Sequence, residues 1–214
     1  MSLRQFLRDA GAHWHARVDC AYSAYCLESR SGYGDFLQAH ARALLMLEPA
    51  MEAAGIERLL DDWPERRRRE ALCRDLQALH LPIPETAAVV LTADAGTLWG
   101  LAYVLEGSRL GSRLLASRVR QAGWPGAATA LCYLGHGDGL PLWPGFLRRL
   151  EEGHGQLDPE ALRTGVELGF RTFLAATRPP ARSDVAAPVE VESDRHPTHC
   201  PRHESFSGPS RSRE

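Results

Sequence analysis

The sequence predicts an all-α protein with a single folded domain. Apolar residues recur near the helical period in several separate stretches, and no stretch alternates with a period of two for long. The chain has 214 residues, of which 44% are hydrophobic and 24% are charged, which is enough for one hydrophobic core. From residue 178 onward, proline, serine, arginine and glutamate dominate. This change predicts a folded domain over residues 1–177, with seven or eight helices, and a disordered tail over 178–214.

The first half of the domain contains three predicted amphipathic helices. They span residues 2–28, 34–54 and 65–79, where apolar side chains follow the helical period. Gly55 is expected to close the second helix, and Pro64 is expected in the first turn of the third.

Two shorter segments of this half carry distinct signals. The run ERRRRE at residues 65–70 is typical of a solvated helix face, and a docking patch for an acidic electron-transfer partner is the alternative. LPIP at residues 81–84 predicts an extended linker, because the residue before a proline disfavours helix. One or two further helical turns are expected within residues 84–95.

The second half is centred on LWGLAYVLEGSRLGSRLLASRVR, residues 98–120, which predicts a long helix. A short apolar helix over 127–134, a glycine-rich loop and a helix over 142–152 are expected to follow. The last helix is predicted to start with Asp158 as its cap and Pro159 as its first residue, and to end near 176.

Two glycines inside the central helix require a physical reason. Glycine costs about 1 kcal/mol relative to alanine in a helix, and the spacing of four places Gly107 and Gly111 on one face. Ser108 and Ser112 follow these glycines and can bond backward to carbonyls, which favours a bend. One interpretation is close helix–helix packing, and the other is a kinked helix that lies against a flat ligand. The spacing alone does not decide between them.

The first helix offers one candidate ligand for a metal. His13 and His15 are two residues apart, so they point to nearly opposite sides of a helix and cannot share a metal ion. Asp19 lies one turn after His15, where a carboxylate can accept the second ring N–H of a metal-bound imidazole. Arg8 lies seven residues before His15 on the same face. A structural histidine with an incidental neighbour is the alternative. One axial histidine facing a bare, bent helix would suit a heme whose iron keeps an open position for oxygen.

Composition excludes several classes of function. The net charge of −2 gives no general basis for binding nucleic acid or an anionic membrane. The N-terminus lacks the pattern of a signal peptide, and no apolar run is long enough to span a membrane. The five cysteines are odd in number and form no CxxC pair, so we expect reduced thiols in a cytoplasmic protein.

Four segments in consistent order resemble the bacterial biliverdin-producing heme oxygenases of the type associated with bacteriophytochromes. YVLEGSRLG at residues 103–111 resembles the family's distal-helix run YVLEGS-x-LGG, and LRDAGAHWHARVD at 7–19 is similar to its LR-x-AT-x-x-x-H-x-x-VD segment. YLGHGDGLPLWPGF at 133–146 and GVELGFRTF at 165–173 resemble its C-terminal half. The resemblance covers residues 3–176.

The chain departs from the family pattern at two positions. Gly11 stands where threonine is usual, which we expect to affect the start of the proximal helix more than the chemistry. Ser112 replaces the second glycine of LGG, and its hydroxymethyl group could crowd the heme or donate a hydrogen bond to bound dioxygen or a water.

The resemblance implies a heme oxygenase-like fold in which heme lies between a proximal helix and a kinked distal helix. It implies oxidative cleavage of heme b to biliverdin, carbon monoxide and ferrous iron, with heme as both substrate and oxygen-activating cofactor. Dioxygen and an electron donor such as a ferredoxin or a reductase are the implied partners, and a bacteriophytochrome could receive the biliverdin. A monomer is expected. The alternatives are a non-catalytic heme carrier or sensor that retains the pocket, and an unrelated helical interaction domain.

The resemblance also implies a set of site residues. His15 would bind the iron, and Asp19 would orient its ring. Cationic partners for the heme propionates would be Arg118 first and Arg8 second. Glu106 is expected to point away from the heme. The distal helix would contribute Gly107, Ser108, Gly111 and Ser112, whose bend would support an ordered-water chain that delivers protons, and the heme walls would include Tyr103, Phe170 and Phe173.

The C-terminal tail carries a further cluster of metal-binding residue types. His196, His199, Cys200 and His203 lie close together, and Cys200 is followed by proline, as in the regulatory motifs of some heme proteins. The histidines could also collect zinc. We favour chance in a disordered, arginine-rich tail.

Overall fold

A computed structural model describes residues 2–91, 94–153 and 157–177, which form eight α-helices and no strand. The predicted all-α class and helix number are confirmed. The predicted tail, including His196, His199, Cys200 and His203, lies outside the described residues. The helices are α1 (Leu3–Tyr22), α2 (Arg30–Ala53), α3 (Trp63–Arg66), α4 (Arg69–Ala78), α5 (Ala95–Gly107), α6 (Arg109–Ala122), α7 (Leu142–Glu152) and α8 (Pro159–Ala176).

Short polar side chains begin the long helices by binding backbone N–H groups that have no helical partner. The hydroxyl of Ser29 accepts from the N–H of Gly32, and the carboxylate of Asp94 accepts from the N–H of Thr97. Asp158 caps α8 with Pro159 in its first turn, as predicted. Gly55 adopts a left-handed conformation (φ 92°) immediately after α2, so its predicted closing role is also confirmed.

Several predicted helices have different bounds in the structure. α2 begins at Arg30, four residues before its predicted start. α1 ends at Tyr22, six residues early, and turns connect it to α2. The described residues between α4 and α5 contain no helix, so the extra turns predicted within 84–95 are absent up to residue 91. The predicted apolar helix over 127–134 is only a 3₁₀ turn at Ala127–Thr129.

The predicted third helix divides into α3 and α4, because Arg67 and Arg68 leave the helical conformation. The division turns two side chains of the charged run inward, and Arg66 and Arg68 are each only 2% exposed. The interpretation of residues 65–70 as a solvated face is therefore wrong. The alternative of a docking patch stays a prediction, for which Arg67 and Arg69, with side chains 33% and 19% exposed, are the remaining cations.

Close packing of α5 on α8 fixes the centre of the domain. A Cβ added to Gly100 would lie 2.2 Å from the carbonyl oxygen of Leu162, and one added to Gly165 would lie 2.1 Å from that of Thr97. Only glycine allows the two backbones to approach this closely. α1 packs on the same helix α8, but α1 and α5 make little contact with each other. A gap therefore lies between them.

The central helix bends where the sequence predicts a bend. α5 ends at Gly107, Ser108 lies at the break, and α6 continues from Arg109. The Ser108 hydroxyl donates to the carbonyl of Leu105 at 2.7 Å, which is the backward bond expected of a serine in this position.

None of the helices in the described ranges is both long and apolar enough to cross a membrane.

Candidate functional site

A cavity of about 620 Å³ occupies the gap between α1 and the bent pair α5 and α6. This volume lies within the usual range for small-molecule and cofactor sites. Helices α2, α7 and α8 contribute the remaining walls. The lining residues come from six helices and the break between two of them: Arg8, His15, Val18, Asp19, Tyr22, Phe36, His40, Tyr103, Val104, Gly107, Ser108, Leu110, Gly111, Leu115, Trp143, Phe170 and Phe173.

His15 and Asp19 form the predicted pair on the α1 side of the cavity. The Nδ1 atom of His15 lies 2.8 Å from a carboxylate oxygen of Asp19, and both side chains are 66% exposed because the cavity is open. Donation from Nδ1–H to this carboxylate leaves the lone pair of Nε2 free to bind a metal. His13, two residues earlier, is exposed and does not line the cavity. The pair therefore provides one oriented imidazole.

A single imidazole suits heme iron better than a free metal ion. No cluster of three His, Cys, Asp or Glu side chains that could hold an ion occurs in the described part of the chain. Heme needs only one protein ligand because its four ring nitrogens supply the others.

Gly107 and Gly111 present bare backbone to the cavity. A Cβ on Gly111 would meet no atom within 4 Å, and one on Gly107 would meet only the ring of Trp143, at 3.9 Å. Apart from this Trp143 ring of α7, no described residue of another helix would come within 4 Å of a Cβ at either position. The interpretation that this pair serves close helix–helix packing is wrong, because Gly100 and Gly165 fill that role.

The two serines of the central helix have different surroundings. Ser108 lines the cavity, and its hydroxyl accepts a bond from Arg68 at 2.8 Å while it donates to Leu105. Ser112 is 8% exposed and does not line the cavity, and its hydroxyl donates to the Ser108 carbonyl at 3.4 Å. The structure therefore brings Ser108 to the cavity and leaves Ser112 outside it.

Of the two arginines predicted to meet a carboxylate ligand, only Arg8 reaches the cavity. Arg8 lines it beside Tyr103, and no ion pair of Arg8 occurs within the described ranges. Arg118 lies outside the lining set, and its guanidinium donates twice to Glu28, at 3.0 and 2.8 Å. This bond holds the pKa of the Glu28 carboxyl below its usual range.

Tyr103 is a polar group of the same cavity wall. Burial raises the pKa of its hydroxyl, although the charges of Arg4 and Arg8 oppose the shift. The hydroxyl therefore keeps its proton at neutral pH and can donate a hydrogen bond to a carboxylate.

Aromatic side chains form the α8 side and the inner end of the cavity. Phe170 and Phe173 are 7% and 5% exposed, and both line the cavity as predicted. The ring of Phe170 contacts the His15 ring edge-on, with centroids 6.0 Å apart. Gly11 leaves room for Phe170, because a Cβ there would lie 3.0 Å from its ring. Gly11 lies inside α1, which starts at Leu3, so its absent side chain affects this contact. The expectation that Gly11 would affect the start of the helix is wrong.

His40 is a lining residue that sequence reasoning missed. Its Nδ1 lies 2.9 Å from the carbonyl of Phe36, and its ring packs against the rings of Tyr22, Phe36, Tyr133 and Phe173. Burial lowers its pKa to about 3, against the effect of the bond to Phe36. His40 is therefore a neutral imidazole that donates from Nδ1. A histidine among the apolar positions of α2 was the signal that could have identified it.

Buried ion pairs lie behind the bend of the central helix. Arg66 donates to Glu106 at 2.7 Å, to Asp62 at 2.7 and 2.8 Å, and to the carbonyl of Leu142 at 3.0 Å. Arg109 donates to the other oxygen of Glu106 at 2.9 Å. Glu106 is 1% exposed and absent from the cavity lining, so it points away from the cavity, as expected. These pairs connect the end of α5 to α3 and to the start of α6.

Comparisons with known proteins identify similar chains. No family model matches the sequence. A protein of Xanthomonas campestris named heme oxygenase is 32% identical over 153 residues, which cover 69% of this chain and 92% of that protein. The crystal structure of the NO- and CO-bound heme oxygenase from Neisseria meningitidis is similar in fold, with a TM-score of 0.66 and 20% identity over 82% of this chain and 88% of that one.

Proposed function

The chain belongs to the heme oxygenase family, and we propose on this basis that it cleaves heme oxidatively to biliverdin, carbon monoxide and ferrous iron. The reaction consumes dioxygen and electrons from a donor. The observation that carries the proposal is the oriented imidazole of His15 on one side of a cavity whose other side is the bare backbone of Gly107 and Gly111. An enzyme that binds heme through one ligand and leaves oxygen room to react needs this asymmetry.

The residues that line the cavity would have different roles in holding a bound heme. Bound heme supplies the iron that activates oxygen, so the protein contributes ligation, orientation and hydrogen bonding. His15 holds the iron as a neutral imidazole, and Asp19 keeps the proton on Nδ1 and thereby fixes the ring. Phe170 packs against the edge of that ring and limits its rotation.

The heme propionates bind at the end of the cavity that holds Arg8 and Tyr103. Arg8 has no competing ion pair among the described residues, whereas Arg118 is already bound by Glu28. A free guanidinium loses no protein partner when it binds a propionate, and the protonated Tyr103 hydroxyl adds a neutral donor. We therefore place Arg8 before Arg118, which reverses the order predicted from sequence. Replacing Arg8 with glutamine is expected to weaken heme binding more than the same change at Arg118.

The bend between α5 and α6 leaves open cavity space in which dioxygen could reach a bound heme. Neither Gly107 nor Gly111 carries a side chain into this space, and Ser108 is the polar side chain of the bend that lines it. The Ser108 hydroxyl proton is committed to Leu105, so toward the cavity this oxygen acts as an acceptor for a water molecule.

The position of Ser112 does not support the non-catalytic alternative. A heme carrier without turnover was suggested by Ser112, whose side chain could have filled the space for oxygen. Ser112 lies outside the cavity lining and binds the Ser108 carbonyl. Activity is therefore the better proposal.

The partners follow from the reaction. A ferredoxin or a reductase supplies the electrons, and a bacteriophytochrome is the proposed receiver of biliverdin. No disulfide forms among the cysteines of the described residues, Cys20, Cys26, Cys73 and Cys132, which supports a cytoplasmic location.

Turnover of bound heme tests the proposed function. The full chain is loaded with heme and given a chemical reductant under air, and the absorption spectrum, extracted pigment and carbon monoxide are measured. We expect the heme Soret band to decay and biliverdin and carbon monoxide to form in equal amounts.

Variants at two neighbouring histidines provide the control for this experiment. His15→Ala should abolish biliverdin formation, and His13→Ala, an exposed change two residues away on the same helix, should preserve it. Intact heme after prolonged reduction of the wild type in air would contradict the proposal and favour a carrier.

A further inference from the structure

Arg68 is a buried cation whose guanidinium forms no ion pair with a carboxylate of the described residues. It is 2% exposed, like Arg66, but the two arginines differ in their contacts. Arg66 binds the carboxylates of Asp62 and Glu106, whereas no described carboxylate forms an ion pair with the Arg68 guanidinium. Buried charges are normally paired, because removing a charge from water is costly. An unpaired guanidinium in this position therefore requires a reason.

Neutral groups surround the guanidinium of Arg68. One terminal nitrogen donates to the carbonyl of Leu105 at 2.9 Å and to the hydroxyl of Ser108 at 2.8 Å. The guanidinium carbon lies 5.1 Å from the centre of the Tyr133 ring. None of these contacts cancels the positive charge. Two of them hold the bend of the central helix, where Ser108 lines the cavity.

Glu48 is a buried carboxylate whose charge interacts with that of Arg68, but its oxygens form hydrogen bonds with backbone and not with the guanidinium. They accept from the backbone N–H groups of Arg68 and Arg69 at 2.8 and 3.0 Å. The Glu48 carboxylate therefore binds the backbone at the start of α4 and does not bind the Arg68 guanidinium. The field of the Arg68 guanidinium is thus only partly balanced.

Three titratable groups interact with the charge of Arg68, and one of them, His40, lines the cavity. Burial lowers the pKa of His40 to about 3 and that of His136 to about 4, and the charge of Arg68 contributes to both shifts. Arg109 adds to the shift of His136. Burial raises the pKa of Tyr133, and Arg68 opposes that rise. All three groups are uncharged at neutral pH, so none of them neutralises Arg68.

We propose that Arg68 makes the distal side of the cavity, next to Ser108, a site that favours small inorganic anions over neutral ligands at the open iron position. The inference rests on the proposed function, because it requires heme in the cavity. Arg68 acts as a positioning residue through its charge, which attracts negative ligands through a poorly screened interior, and its bond to Ser108 fixes this charge beside the cavity wall.

Ligand binding to the ferric heme complex of the full chain tests the proposal. Azide is the anionic probe and nitric oxide is the neutral one, and both are titrated by absorption spectroscopy. Arg68→Gln retains an N–H donor but loses the charge. We expect its Kd for azide to rise about tenfold, which corresponds to about 1.4 kcal/mol, while the Kd for nitric oxide changes less than about twofold.

Three further variants separate charge from structure. Arg68→Lys keeps the charge and should hold the azide Kd within about threefold of wild type. Arg67→Gln removes a neighbouring arginine that pairs with Glu52 and Glu70, and it should leave both ligands unaffected. Ser108→Ala keeps the cation and removes only the hydroxyl, so azide should still bind more tightly than in Arg68→Gln. Should Arg68→Gln fail to fold, Arg68→Met removes the same charge with a side chain that can pack over Tyr133.

The possible outcomes distinguish this inference from the proposed function. Equal losses of azide and nitric oxide binding would show a general collapse of the site and would overturn the inference. An unchanged azide Kd in Arg68→Gln would overturn it as well, and the proposed function would stand. A wild-type chain that takes up no heme would overturn both.

Discussion

A substitution at the single residue Gly111 is expected to change stability and function in opposite directions. It lies inside α6, and a Cβ there would meet no protein atom within 4 Å. Gly111→Ala should therefore raise the free energy of unfolding by up to about 1 kcal/mol, because alanine favours helix. The same methyl group projects into the cavity, so heme affinity and turnover should fall. Urea denaturation and heme titration of one variant measure both effects.

Gly100→Ala is the matched control for this change. Its methyl group would lie 2.2 Å from the carbonyl oxygen of Leu162, so the variant should lose about 3 kcal/mol or more of stability. A Gly111→Ala protein that is destabilised like Gly100→Ala would refute the assignment of Gly111 to the cavity.

The lowered pKa of His40 predicts how the free energy of unfolding depends on pH. Its folded pKa of about 3 lies below the usual value of 6.5, so the unfolded chain binds more protons between these two values. Stability should therefore fall as the pH decreases below 6.5, by up to about 1.4 kcal/mol per pH unit from this residue.

His40→Gln tests this pH dependence. Glutamine does not titrate, so urea unfolding between pH 7 and 4.5 should show a shallower loss of stability in the variant than in the wild type. His13→Gln, an exposed change, should follow the wild-type slope. Parallel curves for the wild type and His40→Gln would show that His40 titrates normally in the folded protein.

Sequence motifs predicted the cavity-lining residues that we propose contact the ligand and missed those proposed to act through packing. The spacing of Arg8, His15 and Asp19 on one helix was enough to place them on a common face. His40 and Arg68 were not predicted, because their roles depend on neighbours from distant helices. Arg68 was misjudged since the break between α3 and α4, which turns it inward, carries no proline or glycine signal.

The bend between α5 and α6 is the element on which the site depends, and the buried Glu106 helps to fix it. Glu106 accepts from Arg66 and Arg109 at 1% exposure, so Glu106→Gln leaves buried cations without their shared anion. We expect a loss of about 3–5 kcal/mol in the free energy of unfolding. Equilibrium denaturation measures it.

An exposed pair with the same spacing provides the control. Glu160 and Arg163 are also three residues apart and are 72% and 50% exposed, so Glu160→Gln should cost less than about 1 kcal/mol. Similar small losses in both variants would contradict the structural role given to Glu106.

At the element scale the sequence predicted helix bounds well where a cap or a breaking residue marks them. Asp158, Pro159 and Gly55 carry side-chain or backbone constraints that act locally, and their predictions are confirmed. The end of α1 at Tyr22 is different, because Tyr22 docks on Phe36, His40 and Phe173 and the chain then turns toward α2. Such tertiary contacts are not visible in helical periodicity.

At the scale of the whole molecule, the core and the cavity lie within the residues up to 177. α8 ends at Ala176, whose carbonyl accepts from Arg42 at 2.8 Å, and the carbonyl of Thr177 accepts from Tyr25 at 3.3 Å. A chain truncated after Thr177 should therefore keep its stability and bind heme with a Kd within about twofold of the full chain, since every described lining residue is retained. A large loss of heme affinity would assign part of the site to residues 178–214.

The proposed heme site depends on ligation of the iron by His15, and chemical rescue tests this ligation most directly. Heme is titrated into the full-length His15→Ala protein with and without added imidazole, and resonance Raman spectra of the reduced complexes are compared with wild type. We predict that the iron–imidazole vibration is present in the wild type, absent in His15→Ala and restored by free imidazole. A His15→Ala complex that shows the wild-type vibration without imidazole would contradict the account.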